Sequence, residues 1–334
     1  MALQLRLPAR CLGDWLDGTG RITDTGAARA DPHRHSSGVT VLSGAPPAVV
    51  STPVTIADEI VVGGRFQLRE RLGRGSMAEV FRAVDLAGGR DVAVKIAADD
   101  SPKHRGRIAN EAAVLAGLDH PSVITFFEGG TMPVAGQLPG RSYIVEELAL
   151  GPSLAEVARG PLPSPQQVAA WAGGLFGGLS HLHGRGLVHR DIKPANLMLS
   201  GLRRSPVRIV DFGIAAAAGA APEPGMSSGT VHYMSPEQAS GGAAQPSWDV
   251  YALGLVLLEL LTAERAYTGT AVESLVARTL RSPVVPASLG PGWGALLRAV
   301  TAMDSAARPS AAEAAVMARR LAVNPQPARL LHRR

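Results

Sequence analysis

The sequence reads His-Arg-Asp-Ile-Lys-Pro-Ala-Asn over residues 189–196, and Asp-Phe-Gly follows at residues 211–213. Two short apolar stretches, at residues 197–199 and 208–210, lie between these polar motifs and are typical of strands. Together the two motifs are the most specific signal in the chain.

The two halves of the chain differ in their apolar pattern. Alternation of apolar and polar residues predicts an antiparallel sheet over residues 65–148, with one strand at residues 123–128 and one helix at residues 107–118. Longer segments with helical spacing predict a mainly helical second half over residues 149–322. Strands followed by helices predict an α+β fold of two lobes with a cleft between them.

Two further motifs fall in the predicted sheet. Gly73 and Gly75 form a turn between strands, where backbone amides can approach phosphates, although Ala78 stands where a third glycine is expected. Lys95 ends an apolar strand and needs a partner if it is buried, for which Glu111 on the following helix is the natural candidate. An ordinary turn, and a lysine that reaches water, are the alternatives for these two motifs.

All these motifs resemble those of the protein kinase superfamily, and within it the bacterial serine/threonine kinases of eukaryotic (Hanks) type. The resemblance covers residues 65–321, and it includes Tyr-Met-Ser-Pro-Glu-Gln at residues 233–238 and Arg308-Pro309 near the end. It implies a serine/threonine protein kinase that transfers the γ-phosphate of ATP to proteins in signalling, itself included.

The resemblance implies a role for each catalytic residue. Asp191 orients the hydroxyl group of the substrate. Lys193 offsets charge on the transferred phosphate and is typical of the serine/threonine class. Lys95, held by Glu111, binds the α- and β-phosphates of ATP.

The implied cofactors are ATP and a divalent cation. Asp211 and Asn196 are the implied ligands of Mg²⁺, with Mn²⁺ as a substitute. Main-chain groups of Glu147 and Ala149 are implied to bind the adenine base. The other residues implied to contact ATP, through the glycine turn or the apolar adenine slot, are Leu72, Gly73, Gly75, Val80, Ala93 and Met198.

The resemblance also implies an activation segment that ends near residue 237. Ser227 and Ser228 are the hydroxyl groups best placed to receive an activating phosphate, and a segment that is competent without modification is the alternative. Thr230 is expected to contact the catalytic residues from the substrate-docking part of the segment. Glu237 and Arg308 are expected to form a buried ion pair.

One residue departs from the family's pattern. By register with Gly-Pro-Ser-Leu at residues 151–154, Glu146 falls at the gatekeeper position behind the adenine base, which is usually apolar. A buried carboxylate must be paired or protonated. It could accept a hydrogen bond from the adenine amine or pair with Lys95, and a register error of one residue is a third interpretation.

Composition limits the location and the partners. The net charge is +5, and the basic residues form no continuous run, which argues against nucleic acid as the main partner. A single cysteine, Cys11, and an N-terminus without a signal-peptide pattern favour the cytoplasm. The longest apolar run near the C-terminal end, at residues 251–263, is too short to span a bilayer.

The kinase-like region, residues 65–322, follows a segment of low complexity and precedes a short basic tail. Residues 1–64 are expected to be a disordered extension, and residues 323–334 a basic tail. Phosphorylated threonines in the extension, recognised by a phosphothreonine-binding partner, are the alternative to a passive tail.

Two other classes of function stay open. A catalytically inactive scaffold of kinase fold is disfavoured because the full set of catalytic residue types is present. A small-molecule phosphotransferase of related fold is disfavoured by the docking-segment motifs at residues 229–230 and 235–237.

Overall fold

A six-stranded antiparallel sheet forms the first lobe. The computed structural model of the chain describes residues 60–134, 136–200, 205–222 and 231–323. The strands run in the order β1-β2-β3-β4-β6-β5. They are β1 (Val61–Val62), β2 (Phe66–Arg74), β3 (Ala78–Asp85), β4 (Asp91–Ala97), β5 (Phe126–Thr131) and β6 (Ser142–Glu147).

The sheet is held together by its β-branched and aromatic residues. Val92, Val94 and Val145 are fully buried on one face, and Val94 lies opposite Val145 in the register of β4 and β6. Strand β1 begins four residues before the predicted start at residue 65, because Val62 is also fully buried against this face. The remainder of the predicted extension, residues 1–59, lies outside the described residues.

Helix α1 (Pro102–Leu115) packs against the sheet and carries Glu111 toward the cleft. It begins where Ser101 caps it, since the hydroxyl of that residue accepts a hydrogen bond from the His104 amide at 3.4 Å. Proline at the first position of the helix reinforces the start. Ile108 and Leu115 are buried on the same face as Glu111.

The second lobe is mainly helical, which confirms the α+β, two-lobed fold predicted from the sequence. Its central helix is buried on almost every side and is therefore a core helix. In the described residues, no helix is long and apolar enough to cross a membrane. The helices of this lobe are α2 (Leu154–Val157), α3 (Pro165–His183), α4 (Pro236–Ala239), the central α5 (Pro246–Thr262), α6 (Ala271–Leu280), α7 (Gly290–Val300) and α8 (Ala311–Val323).

Four short strands in this lobe position the His-Arg-Asp motif and the Asp-Phe-Gly motif. Strand β8 (Leu197–Leu199) pairs antiparallel with β9 (Val207–Ile209), so residues 189–196 and 211–213 emerge at the same end of the hairpin. Strand β7 (Leu187–Val188), just before the first motif, pairs antiparallel with β10 (Ala216–Ala217), just after the second motif. Short 3₁₀ helices occur at Pro194–Asn196, Ala287–Leu289 and Ser305–Ala307.

Candidate active site

A cavity of about 750 Å³ lies between the lobes, lined by the glycine turn, by β3, β4 and β6, and by both motifs of the second lobe. It contains every residue that the sequence assigned to catalysis, ATP or metal. These residues are Leu72, Gly73, Gly75, Val80, Ala93, Lys95, Glu111, Glu147, Ala149, Asp191, Lys193, Asn196, Met198 and Asp211.

The first charged group in the cavity is the Lys95 network, formed by Lys95, Glu111 and Asp211. The Lys95 ammonium lies 2.6 Å and 2.9 Å from the two Glu111 oxygens and 2.8 Å from Oδ1 of Asp211. Burial disfavours the charged form of Lys95, but the two carboxylates outweigh it and raise its pKa above the ordinary value. Lys95 is therefore positively charged at neutral pH and could bind a phosphate group.

Glu111 does more than neutralise Lys95. Its Oε1 also accepts a hydrogen bond of 2.9 Å from the main-chain amide of Phe212. One buried carboxylate thus connects helix α1, strand β4 and the Asp-Phe-Gly motif. This connection sets the relative position of the two lobes' charged groups.

The second charged group is the Asp191 cluster, formed by Asp191, Lys193 and Asn196. The Lys193 ammonium donates to Oδ2 of Asp191 at 2.8 Å. The Asn196 amide nitrogen donates to the main-chain carbonyl of Asp191 at 2.9 Å and to its Oδ2 at 3.1 Å. The Asp191 carboxylate is therefore held in one orientation by two neighbours from its own loop.

The loop that carries the Asp191 cluster is fixed from the core helix. Asp249, in the first turn of α5, accepts main-chain hydrogen bonds from His189 at 2.8 Å and from Arg190 at 2.9 Å. Arg190 and Asp211 both adopt left-handed backbone conformations, with φ of 69° and 66°. Such conformations are strained for residues other than glycine and concentrate at functional sites.

Asp211 and Asn196 offer oxygen ligands of the kind that Mg²⁺ prefers. The Lys95 ammonium lowers the pKa of the Asp211 carboxyl to about 2, so this side chain is ionised at neutral pH. Asn196 uses its amide nitrogen for the bonds to Asp191, so its side-chain carbonyl oxygen could serve as a metal ligand. One carboxylate and one carbonyl, completed by phosphate oxygens, fit the usual Mg²⁺ site of phosphate-transferring enzymes.

Three apolar side chains, those of Val80, Ala93 and Met198, line a part of the cavity, the apolar slot, that suits a flat ring. The Glu147 side chain does not project into this slot, since its carboxylate accepts hydrogen bonds from Arg208 Nε at 3.0 Å and Thr125 Oγ1 at 2.9 Å. The slot's edge is therefore the main chain at Glu147 and beyond, as expected for a base-binding segment.

Glu146 lines the cavity, and its Cα is the register partner of Ala93. This placement supports the register that put Glu146 behind the base and argues against a shift by one residue. The carboxyl is buried, and burial raises its pKa to about 8. Lys95 directs its hydrogen bonds to Glu111 and Asp211 instead of to Glu146.

Arg308 and Glu237 form the expected pair. Nη1 and Nη2 of Arg308 lie 2.5 Å and 2.9 Å from the two oxygens of Glu237. The guanidinium also donates to the main-chain carbonyls of Ala302 at 2.8 Å and Ser247 at 3.1 Å, and it stacks 4.7 Å from the centre of the Tyr251 ring. Ser227, Ser228 and Thr230 of the activation segment lie outside the described residues.

Sequence reasoning missed Arg278. This arginine is fully buried on α6 and donates to the main-chain carbonyls of Met234 at 2.5 Å and His232 at 3.0 Å, and to the Ser274 hydroxyl at 2.7 Å. It fixes the chain directly before Glu237. Nothing in the helical pattern of α6 distinguishes this arginine from a surface residue, so only the tertiary structure identifies it.

Comparison with known proteins agrees with this geometry. A sequence profile of the protein kinase domain matches residues 66–318. Serine/threonine-protein kinase PknB of Mycobacterium leprae is 36% identical over 248 residues, which cover 72% of this chain and 38% of that protein. PknB of Mycobacterium tuberculosis is 35% identical over 78% of this chain and 41% of its own length.

A third relative, serine/threonine-protein kinase PrkC of Bacillus subtilis, is 35% identical over 66% of this chain and 34% of its own length. The chain thus spans about two-fifths or less of the length of these curated relatives. The profile match over residues 66–318 nevertheless includes both lobes and every motif that lines the cavity. The chain belongs to the protein kinase family of Hanks type.

Proposed function

We propose that the chain is an active serine/threonine protein kinase, which transfers the γ-phosphate of ATP to hydroxyl groups of other proteins and of itself in signalling. The observation that carries the proposal is the convergence of the Lys95 network and the Asp191 cluster on one cavity. Phosphoryl transfer depends mainly on positioning and on neutralising charge, and these two groups supply both.

Each charged group has a separate task. The Asp191 carboxylate, held by Lys193 and Asn196, orients the substrate hydroxyl and accepts its proton. The Lys193 ammonium offsets negative charge on the phosphate in transfer. Lys95 binds the α- and β-phosphates and keeps its charge because two carboxylates raise its pKa.

Asp211 and Asn196 would hold the divalent cation. When bound, Mg²⁺ neutralises charge on the phosphates. We propose Mg²⁺ as the physiological ion and Mn²⁺ as a substitute, because the two side chains offer hard oxygen ligands.

Serine and threonine are the proposed acceptors, and two observations support this. The relatives that match both lobes are named serine/threonine-protein kinases. Lys193, which contacts the catalytic carboxylate, is the residue type that the family uses in this class. A scaffold without catalysis is the other candidate. It does not account for the Asp191 carboxylate, which Lys193 and Asn196 hold in one orientation in the cavity.

Further parts of the proposal concern regulation and location. Phosphate on Ser227 or Ser228 is proposed to order the activation segment through Arg190, which lies beside the catalytic aspartate. A phosphothreonine-binding partner is proposed for the N-terminal extension. The cytoplasm is the proposed location, because ATP is supplied there and the single cysteine, Cys11, fits a reducing compartment.

Mass spectrometry of the purified chain after incubation with ATP and Mg²⁺ tests the proposal. We expect phosphate on serine and threonine side chains, including Ser227 or Ser228, and none in the Asp191→Asn variant. A chain that binds ATP but gains no phosphate, alone or with a generic protein substrate, would be the scaffold and not the enzyme.

A further inference from the structure

Glu146 is a buried acidic residue on the wall of the cavity, between the Lys95 network and the apolar slot. It lies on β6 between the neighbouring strands, with Ala93 of β4 and Phe126 of β5 as its register partners. Only 8% of the residue is exposed, and it lines the same cavity as Val80 and Met198. The apolar slot for a flat ring thus carries one carboxyl on its wall.

The Oε1 atom of this carboxyl is buried and has no hydrogen-bond partner among the described residues. The neighbouring cation does not supply one, since Lys95 donates to Glu111 and Asp211 at 2.6–2.9 Å. Buried polar atoms are nearly always hydrogen-bonded in folded proteins, and one that is not is energetically unfavourable. An unpartnered acceptor on a cavity wall indicates a donor on the ligand.

The surroundings limit which donor the ligand can bring. Val80, Ala93 and Met198 line this part of the cavity, which suits a largely apolar group such as a nucleotide base. The carboxyl of Glu147 accepts hydrogen bonds from Arg208 and Thr125, and those of Glu111 and Asp211 accept hydrogen bonds from Lys95. Among these acidic side chains of the cavity, Glu146 is the one with an unpartnered buried oxygen. The missing donor is therefore an N–H group on the edge of the ring.

We propose that Glu146 is a specificity-determining residue that accepts a hydrogen bond from the exocyclic amino group of the purine base and thereby favours 6-amino purine nucleotides. This inference rests on the proposed function, since it assumes that ATP occupies the cavity. The amino group satisfies the carboxyl whether the latter is ionised or neutral, because a neutral carboxyl keeps an accepting oxygen. A base without the amino group leaves the acceptor unpartnered in a dehydrated slot.

The test is a cycle between one side chain and one ligand group. Calorimetry in the presence of Mg²⁺ would measure the affinities of ATP and of purine riboside triphosphate, which lacks the 6-amino group, for the parent and for Glu146→Met. The quantity compared is the affinity for ATP divided by the affinity for purine riboside triphosphate. We expect this ratio to be at least about tenfold larger in the parent than in Glu146→Met, within the usual range of coupling between groups in contact.

Two further variants complete the design. Glu146→Gln keeps an accepting oxygen and should keep most of the preference for ATP. Glu128→Met makes the same apolar change on the neighbouring strand β5, at a residue that pairs with Arg65 at 2.9 Å outside the cavity. It should show the parent's ratio of affinities.

The outcomes separate this inference from the proposed function. Equal affinities of the parent for the two nucleotides would overturn the inference without any variant. Equal ratios in the parent and in Glu146→Met would do the same. If the parent shows the expected preference for ATP, and Glu146→Met loses it, but the parent transfers no phosphate, only the proposed function is refuted. A parent that binds neither nucleotide would refute both.

Discussion

Replacing Arg308 with alanine tests its ion pair with Glu237, which connects the end of the activation segment to the C-terminal part of the second lobe. The arginine side chain has no exposure to solvent, whereas 22% of the Glu237 side chain is exposed. Removing one partner from a buried ion pair costs about 3–5 kcal/mol, and the partial exposure of Glu237 favours the lower end. The main-chain carbonyls of Ala302, Ser247 and Met303 also lose their donor, which moves the expected loss from the lower end to the middle of this range, about 4 kcal/mol.

A loss of this size lowers the melting temperature of a domain of this length by about 8 °C, at about 2 °C per kcal/mol. Differential scanning calorimetry of the parent and of Arg308→Ala measures it directly. Arg298→Ala is the matched control, because Arg298 is an exposed arginine on α7. A double variant that also carries Glu237→Ala should be less destabilised than the sum of the two single variants. A melting temperature within about 2 °C of the parent would refute the pair as a structural contact.

Three further predictions concern catalysis, activation and pH. Asp191→Asn should bind ATP as the parent does but lose at least about a hundredfold in the rate of transfer, measured with labelled ATP, because only the proton-accepting carboxylate is removed; near-parental transfer contradicts this role. Ser227→Ala combined with Ser228→Ala should lower activity several-fold, as should phosphatase treatment of the parent; full activity in both experiments would exclude these serines as the switch. Between about pH 4.5 and 8, the folded parent keeps a proton on the Glu146 carboxyl that the unfolded chain has released, so the parent loses stability as the pH rises. Glu146→Gln cannot titrate and should not show this loss. Thermal unfolding should therefore show an advantage of Glu146→Gln that increases from pH 5 to pH 8, and an advantage that is constant with pH would contradict the raised pKa.

The sequence predicted element types well but their ends less well. Helix α1 was predicted from residue 107 and begins at Pro102, although the Ser-Pro start was readable as a cap followed by a first-turn proline. Strand β5 was predicted at residues 123–128 and lies at Phe126–Thr131. Gly129 and Gly130 are weak strand formers, and pairing with β6 overrides their propensity.

The candidate site was predictable as a set of residues, but its bonding was not. The Lys95–Glu111 pair followed from a buried lysine and the next helix. The bond from Lys95 to Asp211 joins residues 116 positions apart, and no local pattern indicates it. The unpartnered oxygen of Glu146 and the bonds of Arg278 likewise depend on the packing of several elements. The spacing of residues in the sequence therefore predicts which side chains belong to the site, and only the tertiary structure shows which of them are bonded to each other.

The most direct test of the central claim is transfer of label from γ-labelled ATP to a generic protein substrate in the presence of Mg²⁺, followed by phosphoamino acid analysis. The parent chain should label serine and threonine and leave tyrosine unlabelled, and Asp191→Asn should reduce the labelling to background. Labelling of tyrosine would contradict the proposed class of acceptor. Binding of ATP without labelling of any protein residue would contradict the assignment of this cavity as the active site of a protein kinase.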